Sequence, residues 1–437
     1  MLDSWHMSRP SPKTRLKKRI HQAPLFKRLG PGLITGAADD DPSGIATYSQ
    51  AGAQFGFNLL WTMALTFPLM VAIQMICALI GRVTGRGLAY NMTQVLPAPV
   101  VVGLVALLFI ANTINVGANL AAMGEAARLV TGWSQHGFTI FFALLSLGLQ
   151  LFIPYRRYSR FLMVLTFSLF AYVAILFLLP LDWPAIGAGL IGLNANLTES
   201  AAVTIVAIFG TTISPYLFFW QSAQEVEEVD HDARLHPLLK DPKEAPEAIS
   251  RIRLDTVAGM LASNLIALAI MIATAATLHQ NGVTNIETAA QAAQALQPIA
   301  GEFAFALFSL GIIGTGLLAV PVLAGSAGYA VAEAVGWKAG LDHMPWKARG
   351  FYTVIGAAVL LGLGIGFSGI DPIKALYWSA VLNGLIAVPM MAALMLVACN
   401  RKKMGAFCVG RVLSWLGWLT TAIMAAAALV MLYVTFK

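Results

Sequence analysis

The chain is a succession of apolar runs, each about as long as a bilayer is thick, joined by short polar links. A helix needs about 20 apolar residues to cross the hydrocarbon core, and such runs fill most of the 437 residues. In lipid the backbone is satisfied only in helices and closed barrels. The alternating ten-residue pattern of barrel strands is absent here. Charge agrees: 58% of residues are hydrophobic and 11% are Asp, Glu, Lys or Arg, against about 25% charged in a soluble domain. Mean hydropathy is +0.73. The expected fold class is an all-α integral membrane protein without a sizeable soluble domain.

Eleven transmembrane helices are expected, near 31–54, 58–81, 98–125, 137–155, 161–181, 200–222, 254–278, 302–334, 351–368, 372–399 and 411–435. Lys and Arg gather in a basic tail at 1–30 and after spans two, four, six, eight and ten, while the loops at 184–199 and 279–300 hold none. By the positive-inside rule the N-terminus is cytoplasmic and the chain is a multi-pass protein of the cell membrane. Arg128 and Lys374 fall on the outer side, where a long side chain can snorkel. The net charge of +7 therefore reads as topology and lipid contact, with no nucleic-acid partner. The loop at 223–253 is the one extended polar connector, expected to be cytoplasmic. Cys77, Cys399 and Cys408 lack metal or redox spacing and read as packing thiols. Residues 1–30 lack the h-region of a cleavable signal peptide. A monomer is compatible with all of this.

Asp39-Asp40-Asp41-Pro42-Ser43-Gly44 lies about ten residues into the first run. One carboxylate at a helix centre costs about 2.5–3.5 kcal/mol on insertion scales, and this segment offers three with no Lys or Arg beside them. Pro42 removes a backbone donor and Gly44 eases departure from helical geometry. The helix should break here, placing carbonyls beside carboxylates in a protein-lined cavity. A functional cation site is the expected reading; the plainer one is a re-entrant turn whose aspartates cap helices and face water.

Gly210-Thr211-Thr212-Ile213-Ser214-Pro215-Tyr216 interrupts the sixth run in the same way. Spans one and six are five apart, as in two inverted five-helix repeats whose broken first helices build a midplane site. The repeats would be 31–181 and 200–399 within a transport domain at 31–435, with 411–435 as an extra helix. Asn112, Asn115 and Asn119 share one face of span three. They read either as interhelical hydrogen bonding or as the lining of a polar pathway. Asn383 in span ten is a weaker candidate.

These motifs resemble those of the Nramp family of divalent-metal transporters, and the likeness covers most of the chain. Gly30-Pro31-Gly32 leads into Asp41-Pro42-Ser43-Gly44 where the family reads Asp-Pro-Gly-Asn. Val83-Thr84-Gly85-Arg86 follows span two, Ile213-Ser214-Pro215-Tyr216 stands at the family's Met-Pro-His position, and Asp255-Thr256 and 288–293 match further on. The resemblance implies a LeuT-type fold and alternating access, with a divalent cation held between broken helices one and six. It places Asp41 as principal ligand and Thr211 as carbonyl donor, with Ser214 at the family's methionine and Gly44 at its asparagine. Asp40 would assist; Asp39, Ser43, Thr47, Tyr216, Gln221, Asn112 and Asn119 would line the pathway.

The departures point to the substrate. A hydroxyl at 214 is a hard ligand suited to Mg²⁺ or Mn²⁺, whereas a thioether favours softer metals. Tyr216 and Gln221 replace two histidines, and Asn112, Asn119 and Ala122 stand where the family has acidic residues of its proton route. The resemblance is thus to the Nramp-related magnesium-transporter branch. The expected function is entry of Mg²⁺, and of Mn²⁺ as well, without proton coupling. The ion is cargo, and no cofactor is expected. The alternatives are a proton-coupled Mn²⁺ or Fe²⁺ transporter, an organic-solute transporter on the same fold, and a Mg²⁺-dependent membrane enzyme. The solute reading suffers because three aspartates would repel a carboxylate. The enzyme reading lacks a second acidic motif to share the metal.

Overall fold

The structure is a computed structural model that describes residues 31–155, 159, 164, 166–192, 198–232 and 234–437. The basic tail, Arg156, Arg157, Arg160 and part of the expected fifth span lie outside the described residues. Every regular element among the described residues is helical, with no strand, and nine helical runs among them are long and apolar enough to cross a membrane.

The first run is split into α1 (Pro31–Asp39) and α2 (Pro42–Phe55). There follow α3 (Trp61–Thr84), α4 (Ala98–Thr131) and α5 (Gln135–Phe152). The sixth run is split into α6 (Glu199–Thr212) and α7 (Pro215–His231). Then come α8 (Ala245–Thr277), α9 (Ala304–Val335), α10 (Arg349–Gly366), α11 (Pro372–Ala398) and α12 (Arg411–Thr435). Both prolines stand at the start of the second half-helix, the one place where a missing N–H breaks no intrahelical bond. Each break is thus a cap followed by proline: Asp41-Pro42 in one, Ser214-Pro215 in the other.

The long α4 packs against α5, α9, α10 and α11, while α1 and α2 both lie along α8. Small residues permit this closeness. A Cβ at Gly36 would fall on the Gly259 backbone of α8, and one at Gly210 would fall on Ala380 and Gly384 of α11. Association in lipid depends on such close packing, because burial from water no longer drives it. Gly36→Leu should therefore separate α1 from α8. Overpacking of this kind costs about 1–3 kcal/mol, and the expected readout is a lower unfolding temperature of the purified protein, with Gly364→Leu, which meets open space, as the unchanged control.

The connector between the sixth and seventh runs is shorter than its polarity suggests. α7 continues to His231 and α8 begins at Ala245, so much of 223–253 is helical. Ion pairs hold the charged helix ends together: Arg251 contacts Glu225 at 2.6 Å and Glu228 at 2.7 Å. Arg82 at the end of α3 pairs with Glu244 at 2.7 Å, and the Leu238 and Leu239 amides donate to the Arg82 and Val83 carbonyls. Gly85, with φ of 65°, closes α3 in the left-handed conformation that glycine adopts without penalty. Arg128 is bound to Glu125 and Lys374 to Glu287. Large apolar side chains such as Phe152 and Phe177 are more than four-fifths exposed, as lipid contact requires.

Candidate cation site

Asp41 is the N-cap of α2, and its backbone (φ −71°, ψ 167°) is extended. Its Oδ1 accepts from the Ser43 hydroxyl at 2.5 Å and from the Gly44 amide at 2.9 Å. Its Oδ2 faces the Asn115 amide at 3.5 Å. The carboxylate thus sits at the positive end of a helix, 1% exposed. Asn115 in turn accepts from Asn119 Nδ2 at 2.8 Å and from the Ser379 hydroxyl at 3.2 Å, which links Asp41 through α4 to α11. Asn112, on the same face, donates instead to the Leu323 carbonyl of α9 at 2.8 Å.

The two breaks meet. A Cβ at Gly44 would lie 3.2 Å from Thr211 Oγ1 and 3.2 Å from the Tyr48 ring, so the lack of a side chain lets the two breaks approach this closely. The Tyr48 hydroxyl donates to Thr212 Oγ1 at 3.0 Å, whose own hydrogen goes to the Ile208 carbonyl. The Ser214 hydroxyl lies 2.8 Å from the Gly210 carbonyl and 2.7 Å from that of Thr211. Tyr216 donates to the Ala38 carbonyl at 3.2 Å. Buried polar atoms without a partner gather on the same helices: Thr47 Oγ1, Thr211 Oγ1, Asn119 Oδ1 and both amide atoms of Asn383.

Asp39 and Asp40 reach α8. Ser263 Oγ lies 2.7 Å from Asp39 Oδ2 and 3.0 Å from Asp40 Oδ1. All three aspartates are buried. Among the described residues none forms an ion pair with Lys, Arg or His. Nor do three Asp, Glu, His or Cys side chains converge anywhere among them as a metal cage. Among the described residues the breaks thus offer carboxylates with neutral oxygens rather than a charged cage. Ser263 and Ser379 were not marked by the sequence, because nothing local distinguishes them from other membrane serines.

A cleft of about 530 Å³ reaches Ala46, two residues from Gly44, and is lined by Gln50, Gln54, Glu199, Asn285 and Tyr377. It opens on the side where α2 ends, opposite the basic loops. On the other side Asp255 accepts from the Gly32 amide at 2.6 Å, and Thr35 donates to Gln221 at 2.5 Å. These contacts fasten α1 to α8 and α7.

Comparison with known proteins gives the same architecture. A family model described as natural resistance-associated macrophage protein-like matches residues 32–434. The divalent metal cation transporter MntH of Deinococcus radiodurans is 26% identical over 411 residues, covering 91% of this chain and 87% of that protein. The MntH of Pectobacterium carotovorum is 25% identical over 416 residues, 94% of each chain. The solved manganese transporter of Eremococcus coleocola superposes with a TM-score of 0.73 at 18% identity, covering 96% of this chain and 88% of that one. A nucleobase-cation-symport-1 family transporter in a closed conformation superposes at 0.59 and 13% identity, over 93% of this chain and 92% of its own. The expected LeuT-type arrangement is thus the observed one. With the family match running from α1 to the last helix, the chain belongs to the Nramp family and is a multi-pass membrane transporter rather than an enzyme.

Proposed function

We propose that this chain carries a divalent metal cation into the cytoplasm by alternating access, binding it between the two helix breaks. Asp41 is the charged ligand, and the carbonyl of Thr211 and the hydroxyl of Ser214 complete the protein's share. The observation that carries this reading is Asp41 itself, a buried carboxylate at the helix break where Gly44 meets Thr211, with no cation to neutralise it among the described residues. A doubly charged guest supplies that neutralisation. Relatives named as divalent metal cation transporters over nine-tenths of this chain support the ion class.

Mg²⁺ is the preferred ion in this proposal, with Mn²⁺ also carried. Every donor offered is hard oxygen, which suits Mg²⁺ and Mn²⁺ over softer metals. Mg²⁺ sheds water reluctantly and keeps several waters when bound. The unpartnered Thr211 Oγ1, Asn119 Oδ1 and Asn383 amide are suited to receive such waters. Transport is not proton-coupled in this reading, because Asn112, Asn119 and Ala122 cannot titrate and Glu125, the acid further along α4, is held by Arg128 at 2.6 Å. A divalent ion moving down an inside-negative potential gains about 4.6 kcal/mol per 100 mV, twice the single-charge value.

Proteoliposomes clamped at a set potential test this. Mg²⁺ and Mn²⁺ influx should rise with inside-negative voltage while a lumenal pH dye stays flat. Acidification in step with metal flux would instead establish the proton-coupled mode.

A further inference from the structure

Asp39 and Asp40 differ from Asp41 in how their charge is accommodated. Asp41 lies at the N-terminus of α2 and receives a backbone N–H and a hydroxyl of its own. Asp39 is the last residue of α1, where the helix presents its negative, carbonyl end. Asp39 and Asp40 both reach the Ser263 hydroxyl, which has one hydrogen and can donate it to only one of them at a time. Asp39 Oδ1 is fully buried and has no hydrogen-bond partner at all. Among the described residues no Lys, Arg or His pairs with either carboxylate. Buried charge left without a partner is strongly destabilising, so these two carboxyls must be neutralised by protons or by a bound cation, a need greater here than at Asp41 with its two donors.

We propose that the seam between α1 and α8 is a second cation station, in which Asp39, Asp40 and Ser263 hold a divalent ion after it leaves Asp41. This rests on the proposed role of Asp41 as the first station. Two carboxylates match a doubly charged ion in charge, and with a hydroxyl they form a hard-oxygen set that leaves further positions to water. Position gives the order. α1 lies on the basic-loop side of the break, and Gly32 and Thr35 on the same helix are fastened to Asp255 and Gln221. An ion descending from the cleft therefore meets Asp41 first and the seam second. Release of α1 from α8 would then open the seam directly toward the cytoplasm.

The test is Mn²⁺ binding to the full chain, by equilibrium dialysis and by anomalous scattering from Mn²⁺-soaked crystals. Two ions per chain are expected, with one peak beside Asp41 and one beside Asp39, Asp40 and Ser263. The double variant Asp39→Asn/Asp40→Asn should bind one ion and lose only the seam peak. Asp41→Asn should lose only the other. Ser263→Ala keeps both carboxylates, so it guards against misfolding, and should weaken the seam site about tenfold. A single ion at Asp41, no bound ion, or a double variant that still binds two overturns the second station. A single ion at the seam upholds the station and removes Asp41 from its proposed role.

Discussion

Asp41→Ala is expected to abolish Mg²⁺ and Mn²⁺ uptake in proteoliposomes, with a loss of at least about 100-fold. Residues that merely orient a metal ligand are worth about 10–100-fold in affinity, and loss of the principal charged ligand should exceed that. The substitution also removes a helix cap, which is worth about 1 kcal/mol. Asp41→Asn and Asp41→Ser separate the two effects, since both side chains cap α2 well and neither carries charge. If transport fails because charge is missing, all three variants lose flux and the two capping variants keep the wild-type unfolding temperature. Substantial uptake by Asp41→Asn would show that the ion is not bound through this carboxylate.

The breaks were legible in the sequence because their causes are local. Pro42 and Pro215 cannot continue a helix, and the chain resumes at each of them with a new first turn. That the two breaks share one site followed only from the symmetry of the interruptions, and the meeting of Gly44 with Thr211 comes from the structure. What sequence could not show is which way each aspartate turns. Three consecutive acids read as one cluster, but Asp41 opens a helix while Asp39 ends one, and Ser263, far away in sequence, draws Asp39 and Asp40 toward α8. Likewise Asn112 and Asn115 share a helical face, yet one meets a carbonyl of α9 and the other meets Asp41. The start of α8 was hidden for another reason. Hydropathy sees Arg251 and Arg253 as loop, whereas Arg251 is bound to two glutamates of α7 and the helix extends through it.

Ser214→Met is expected to change which ion is carried. The Ser214 hydroxyl lies within hydrogen-bond distance of the Thr211 carbonyl, at 2.7 Å, so it competes with an ion for that oxygen. Methionine would remove this contact and add a thioether, a ligand that favours softer metals. Cd²⁺ and Mn²⁺ uptake should rise against Mg²⁺ by about tenfold or more, equivalent to about 1.4 kcal/mol of relative affinity. Position 214 is 1% exposed, so the larger side chain must be accommodated at an overpacking cost of about 1–3 kcal/mol. Ser214→Ala is the informative comparison, because it frees the Thr211 carbonyl without supplying sulfur. Cd²⁺ selectivity in the methionine variant alone would assign the change to the thioether. Equal Cd²⁺ competition in both variants would place residue 214 away from the ion and leave selectivity to Thr211 and the waters around it.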